Sequence, residues 1–295
     1  MISRVIKKTK ILCFDRSGRI VFKRRAGLLA LALTLILVLP FLFCSCSATE
    51  NGQGNEKGTD EPTAVPPATA DPDVLSVLSG KTALFCGDSI CMASTFDTEH
   101  QWWGWAGRIK RDYGLADYKN AGVDGASVSV CRGGNTVINQ IAPNRNTAFD
   151  IVVLHGGVND AWDSAPVGKM VDKPASETVN KDLDVNTFAG GLEKLFITAR
   201  RYFPDSAIVY VINFRINSDI GNMRDMSGYW EEAKKICAKY DVPYLDLYDN
   251  DAFTAEFKNY SSENLADGIH PNSSGYEILT RYIAPFMAEV LSSGK

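Results

Sequence analysis

Serine, histidine and aspartate side chains together can carry out acyl transfer, and this sequence places them just beyond short apolar runs. Ser89 ends the segment "FCGDS", which follows Thr82-Ala83-Leu84. A serine hydroxyl is a weak nucleophile near neutral pH and needs a neighbouring base to take its proton. The sequence holds three histidines. His270, in "DGIHP" at 267–271, has Asp267 three residues before it. A tight turn or a first helical turn at that spacing would bring the carboxylate to the imidazole Nδ1–H, fixing the tautomer and stabilising the imidazolium. His155 lies in the apolar pattern "DIVVLHGG" and reads as a hydrogen-bonded core or pocket-lining residue. His100 falls in "DTEHQWWGW", a polar and aromatic loop that could equally line a cleft or stand on the surface.

Acyl transfer also needs donors aimed at the oxyanion that develops on the carbonyl. Two glycines in "NAGVDGAS" (120–127) let backbone N–H groups approach a substrate closely, and Asn159, after Gly156-Gly157, offers a side-chain amide. Taken singly, these segments have an ordinary explanation: Gly-Asp-Ser can cap a helix, and Gly-Gly-Val-Asn-Asp can turn a chain.

The elements that must hold these groups are legible as alternation. Five apolar or β-branched runs recur at 82–88, 117–123, 150–157, 206–214 and 242–248, and four of them are near-continuous, as in strands buried on both faces. Helical patterns lie between and after them, at 105–114, 185–204, 229–243 and 273–291, with Gly114 and Pro204 as stops, Asn272 or Ser273 as a cap, and Pro285 as a candidate kink. Alternating strands and helices imply right-handed crossovers, a parallel sheet of about five strands and helices on both faces. The ligand site of such a sheet lies outside the carboxyl ends of its strands. Ser89, the Gly122–Gly125 turn, Asn159 and the 267–271 segment all follow strand ends.

In that order, "GDS" at 87–89, "NAGVDGAS" at 120–127, "GGVND" at 156–160 and "DGIHP" at 267–271 resemble the four blocks of the SGNH hydrolases, also called the GDSL family. The resemblance covers residues 82–291. It implies a flavodoxin-like three-layer α/β/α sandwich and a catalytic triad of Ser89, Asp267 and His270. It also implies an oxyanion hole made by the Ser89 N–H, the Gly125 N–H and the Asn159 side chain. The usual "GDSL" reads "GDSI" here, with Ile90 at a packing position, and no GxSxG is present, so an α/β-hydrolase elbow is not supported. The implied chemistry is ester hydrolysis of the carboxylesterase or acetylesterase type through an acyl-enzyme on Ser89, with no metal or cofactor.

The rest of the chain bears on location and substrate. Residues 1–46 carry nine Lys/Arg against one Asp, leaving 22 basic and 34 acidic side chains beyond them. An acidic body argues against a nucleic-acid partner. The basic start is followed by the uncharged run "GLLALALTLILVLPFLF" (27–43), a charged region and an apolar core as in an export signal. The segment around Cys44-Ser45-Cys46 resembles a bacterial lipoprotein signal with Cys46 as the lipidated residue, and an uncleaved membrane helix is the alternative. Residues 1–46 are therefore expected to be a signal peptide or anchor, 47–73 a flexible linker and 74–295 the hydrolase domain. The 27-residue linker would reach on the order of 30 Å as a coil. The expected location is the outer face of a bacterial cell membrane, held by lipid or helix. Four of the seven cysteines, Cys86, Cys91, Cys131 and Cys237, fall in the domain at spacings that match no zinc pattern, and Cys86 and Cys91 read as small buried residues.

Tethering outside a membrane favours small esters or acylated glycans as substrate, above all O-acetyl groups on carbohydrates. Trp102, Trp103 and Trp162 could stack on sugar rings, Trp105 could do so or pack in the core, and the segment 213–229 reads as a loop whose Arg215 and Arg224 could meet an anion. An O-acetyltransferase acting on glycans would use the same residues, and a catalytically silent glycan-binding lipoprotein is the reading from a different class.

Overall fold

The computed structural model describes residues 13–14, 20–21, 70–97, 100–131, 133–217 and 219–294. The chain divides into two units, Met1–Asp60 and Glu61–Lys295. In the first, Cys13–Phe14 pairs antiparallel with Ile20–Val21. The apolar run 27–43 and Cys46 lie outside the described residues.

The second unit is built on five parallel strands: β1 (Thr82–Cys86), β2 (Asp117–Asn120), β3 (Ile151–His155), β4 (Ala207–Ile212) and β5 (Tyr244–Asp246). All five sequence runs become strands of one sheet, in the order β2-β1-β3-β4-β5. β1, β3 and β4 take the centre because their side chains are apolar on both faces; β3 and β4 are buried along their whole length. β2, "DYKN", alternates between exposed and half-buried residues and stands at an edge. The order reverses direction between β1 and β3, and that switch point is where an open α/β sheet opens a crevice.

The principal helices are α1 (Pro72–Leu78), α2 (Ser89–Met92), α3 (Trp105–Tyr113), α4 (Val158–Trp162), α5 (Phe188–Tyr202), α6 (Ser227–Lys239), α7 (Asp251–Phe257) and α8 (Ser273–Ser292). α1 begins at Pro72 with Asp71 as its cap, so the last two residues of the segment expected to be linker, 47–73, belong to this helix. α1, α3 and α8 pack on one another, and α5 packs on α6. Right-handed crossovers in this strand order put α3 on one side of the sheet and α5 and α6 on the other, giving three layers. α8 is capped by Asn272, whose side chain accepts from the Gly275 N–H at 3.1 Å. It continues through Pro285 because Ile283, Ala284, Met287 and Ala288 are buried on either side of that residue. The core combines the central strands with Trp105, Phe188, Phe196, Tyr210, Trp230 and Tyr276. No helix among the described residues is long and apolar enough to cross a membrane.

Candidate active site

β1 leaves the sheet through Gly87, where a Cβ would come within 2.6 Å of the Cys91 Cβ and 3.0 Å of the His155 carbonyl oxygen. Only glycine lets the chain turn that close to β3. The turn is clasped from outside by Gln140, whose Oε1 accepts from the Gly87 N–H at 2.8 Å and whose Nε2 donates to the Gly87 carbonyl at 2.7 Å. Asp88 caps α2 by accepting from the Ile90 N–H at 3.0 Å, which puts Ser89 at the first helical position. A four-residue helix has little stability of its own. Neighbours hold it: the Ile90 carbonyl accepts from the Tyr276 hydroxyl at 3.0 Å and from the Trp105 indole at 3.3 Å, and the Asn120 amide donates to the Cys91 carbonyl at 2.8 Å.

The structure brings Ser89, His270 and Asp267 together. Ser89 Oγ lies 2.9 Å from His270 Nε2, and His270 Nδ1 lies 2.7 Å from Asp267 Oδ2. The Asp267 Oδ1 atom accepts from the backbone N–H groups of Ile269 at 2.9 Å and His270 at 2.8 Å, so one short turn sets both the imidazole and the carboxylate that meets it. Gly268, with φ +86°, supplies the left-handed step in that turn. Partial burial alone would raise the Asp267 pKa, but the His270 N–H, its imidazole and the Ile269 N–H outweigh that and hold the carboxyl below its ordinary value. Ser89 is 6 % exposed, whereas the Asp267 side chain is 54 % exposed, so the hydroxyl sits deep and the carboxylate faces solvent.

The expected oxyanion donors converge on the same end of the sheet. Neither the Ser89 N–H nor the Gly125 N–H is bonded within the described residues, whereas the Gly122 N–H is committed to Asn120 Oδ1 at 3.0 Å. Gly125 has φ +69°. Asn159 opens α4 and spends one amide hydrogen on the Ala126 carbonyl at 2.9 Å, which ties it to the residue after Gly125 and leaves the second hydrogen uncommitted. Asp160 fixes the same loop, accepting from the Val128 and Ser129 N–H groups at 2.8 Å each. Its carboxyl is fully buried, and burial pushes its pKa up to about 6 against those hydrogen bonds.

Sequence reasoning missed a buried polar chain beside Ser89. Asp88 Oδ1 lies 3.3 Å from His155 Nδ1, and His155 Nε2 lies 3.2 Å from Asn213 Oδ1, with all three residues at most 2 % exposed. Burial disfavours both charges, yet their mutual attraction lowers the Asp88 pKa and raises that of His155. His155 is thus the hydrogen-bonded interior histidine that its strand pattern suggested. Gln140 and Asn213 carried no sequence signal, since a lone amide between apolar segments has no characteristic spacing.

Other candidates divide. Trp105 is core, 1 % exposed. Trp162 packs against Gly221, and Ile220 packs against Gly268, so the 213–229 segment rests on the Asp267–His270 turn. Arg215 is engaged locally, 4.9 Å over the Tyr248 ring and bonded to Asp249, while Arg224 donates to the Ser164 hydroxyl at 2.9 Å. Cys86, Cys91, Cys131 and Cys237 are free, and burial pushes the Cys86 thiol up to about 12. No cluster of His, Cys, Asp and Glu fit to hold a metal occurs among the described residues.

The model of the GDSL-like lipase/acylhydrolase family matches residues 85–278, about two thirds of the chain, from the end of β1 into α8. The chain belongs to that family. It is therefore a GDSL-type, SGNH-class hydrolase, a class of ester-hydrolysing enzymes, as the four blocks implied. Solved structures share its fold. A Lactobacillus plantarum protein aligns over 72 % of this chain and 98 % of its own, at 24 % identity and TM-score 0.57. A protein described as a possible lipase from Chitinophaga pinensis aligns over the same shares, at 19 % identity and TM-score 0.52. No curated protein sequence matches the chain.

Proposed function

We propose that this GDSL-family protein is an exported serine esterase that removes short acyl groups, chiefly O-acetyl, from carbohydrates, with Ser89, His270 and Asp267 as its triad. The observation that carries the reading is the unbroken contact chain from Ser89 Oγ to His270 Nε2 and from His270 Nδ1 to Asp267 Oδ2, at 2.9 and 2.7 Å. In the first step the Ser89 oxygen bonds to the ester carbonyl carbon while its proton passes to His270 Nε2. The carbonyl π electrons move onto oxygen, and the oxyanion is met by the Ser89 N–H, the Gly125 N–H and the second Asn159 amide hydrogen. The tetrahedral species then collapses, the alcohol takes the proton from Nε2, and an acyl-Ser89 remains. Water repeats the sequence, with His270 as base, and releases the acid.

A short acyl group is supported by the surroundings. The large apolar side chains exposed among the described residues stand mostly on separate elements, as Leu75, Val123, Val179 and Tyr260 do, where a long acyl chain would need one continuous wall. Export and tethering at the outer face of a cell membrane are supported by the basic start, the apolar run 27–43 and Cys46. Ser89→Ala tests the catalytic assignment: turnover of p-nitrophenyl acetate should fall at least about a thousandfold with an unchanged circular dichroism spectrum. Activity retained within tenfold would refute it. An ester panel from acetyl to octanoyl tests the acyl length, with kcat/KM expected to be highest at acetyl.

A further inference from the structure

The segment between α2 and α3 carries a second Asp-x-x-His. Asp97 accepts from the His100 backbone N–H at 3.0 Å and pairs with His100 Nδ1 at 2.7 Å, the same two kinds of contact that Asp267 makes with His270. The His100 ring lies against Trp103 with centroids 4.4 Å apart, and Trp102, 47 % exposed, meets Trp103 edge-on at 5.4 Å. With Nδ1 engaged by Asp97, Nε2 is the ring nitrogen left for a ligand hydroxyl, and no described residue bonds it. Local capping accounts for the Asp97 contacts. It does not account for an exposed indole beside an uncommitted imidazole nitrogen.

This segment is fastened to the catalytic groups at both ends. The Ser94 N–H bonds the carbonyl of Ser89 at 3.0 Å, and the Thr95 hydroxyl donates to the carbonyl of Pro271, the residue after His270, at 2.7 Å. The Phe96 ring bridges Tyr276 and Trp103 at 5.6 and 5.5 Å, and Arg108 bonds both the Trp103 carbonyl and the Ser273 hydroxyl. Hydrogen bonds and ring contacts therefore join the aromatic group to the two segments that carry Ser89 and His270.

We infer that His100, Trp102 and Trp103 form the subsite for the pyranose ring that carries the scissile ester. This deepens the esterase reading above and rests on it. Indole faces cover the C–H face of a sugar ring, and the imidazole acceptor takes one of its hydroxyl hydrogens, a combination of apolar platform and placed polar group typical of ligand sites. Asp97 acts through His100, as an orienting group.

The test uses the full-length protein, with ethyl acetate and O-acetylated xylotetraose as substrates. Trp102→Ala should lower kcat/KM on the acetylated xylotetraose about tenfold, and His100→Phe, which keeps a ring against Trp103 but removes Nε2, about threefold to tenfold. Both variants should stay within twofold of wild type on ethyl acetate, which has no sugar to bind. Equal losses on the two substrates, or none on the acetylated xylotetraose, would overturn the inference. Calorimetry with unacetylated xylotetraose and the Ser89→Ala protein separates this subsite from the esterase reading. Binding weakened about fivefold or more by Trp102→Ala supports the subsite even if no ester is cleaved. Absent binding, or binding indifferent to Trp102, overturns the subsite and leaves Ser89-dependent hydrolysis of ethyl acetate standing.

Discussion

Asparagine at position 267 isolates the contribution of one oxygen atom. The substituted side chain keeps Oδ1, so it can still accept from the Ile269 and His270 N–H groups at 2.9 and 2.8 Å, and the turn should persist. Its other atom becomes an NH₂ group, which cannot accept from His270 Nδ1 at the 2.7 Å position. The imidazole then favours the tautomer with its proton on Nε2, the nitrogen that faces Ser89 Oγ at 2.9 Å, and a protonated nitrogen cannot take the serine proton. In a fully buried triad of another fold the equivalent change costs about 10⁴ in kcat. Here the Asp267 side chain is 54 % exposed, so water can take over part of the Nδ1–H contact and the ion pair is partly screened. The expected loss is therefore about 10² to 10³ in kcat on p-nitrophenyl acetate, with KM within about twofold because Asp267 stands behind the base, away from the ester. Thermal unfolding should move by less than about 4 °C, since one solvent-facing contact is lost. Activity within threefold of wild type would refute the argument that Asp267 sets the tautomer of His270. A large rise in KM at unchanged kcat would refute it equally, because it would place Asp267 in substrate binding.

Two further outcomes follow from the site. Asn159→Ala removes the donor held beside Gly125 and should lower kcat by about 10² to 10³ with little change in KM; stopped-flow measurement of acylation should show the loss in the chemical step. Asp160 titrates against stability, and the sign runs opposite to the usual aspartate. Burial raises its folded pKa to about 6, so the native state holds its proton more tightly than the unfolded chain does. Its contribution is fully present below about pH 4 and is lost as the pH rises through 6, by roughly 3 kcal/mol. Urea unfolding of wild type and Asp160→Asn between pH 4 and 7 should show that term as a pH-dependent difference; a difference that is flat or grows with pH would rule out the raised pKa.

The sequence by itself determined what depends on local spacing and on apolar pattern. Continuous apolar runs specified the central strands because a strand covered on both faces has no polar side to show, and the structure puts "DYKN", which alternates between exposed and half-buried residues, at an edge. Asp267 and His270 were legible as a pair because a three-residue turn brings their side chains together whatever surrounds them. The Asp97–His100 contact obeys the same local rule, yet "DTEHQWWGW" read alone could not be told from an ordinary surface loop. Only the tertiary structure decided what lies across the sheet. Ser89 and His270 are 181 positions apart, and their contact follows from the folding of β1 and the start of α8 onto one crevice. The Gln140 clasp on Gly87, the Asn159 bond to Ala126 and the Asp88–His155–Asn213 chain arise in the same way, from segments separated by tens of residues. Amides and buried carboxylates have no periodicity that announces a distant partner. Which of them meet is set by strand order and close packing, and those are properties of the folded chain as a whole.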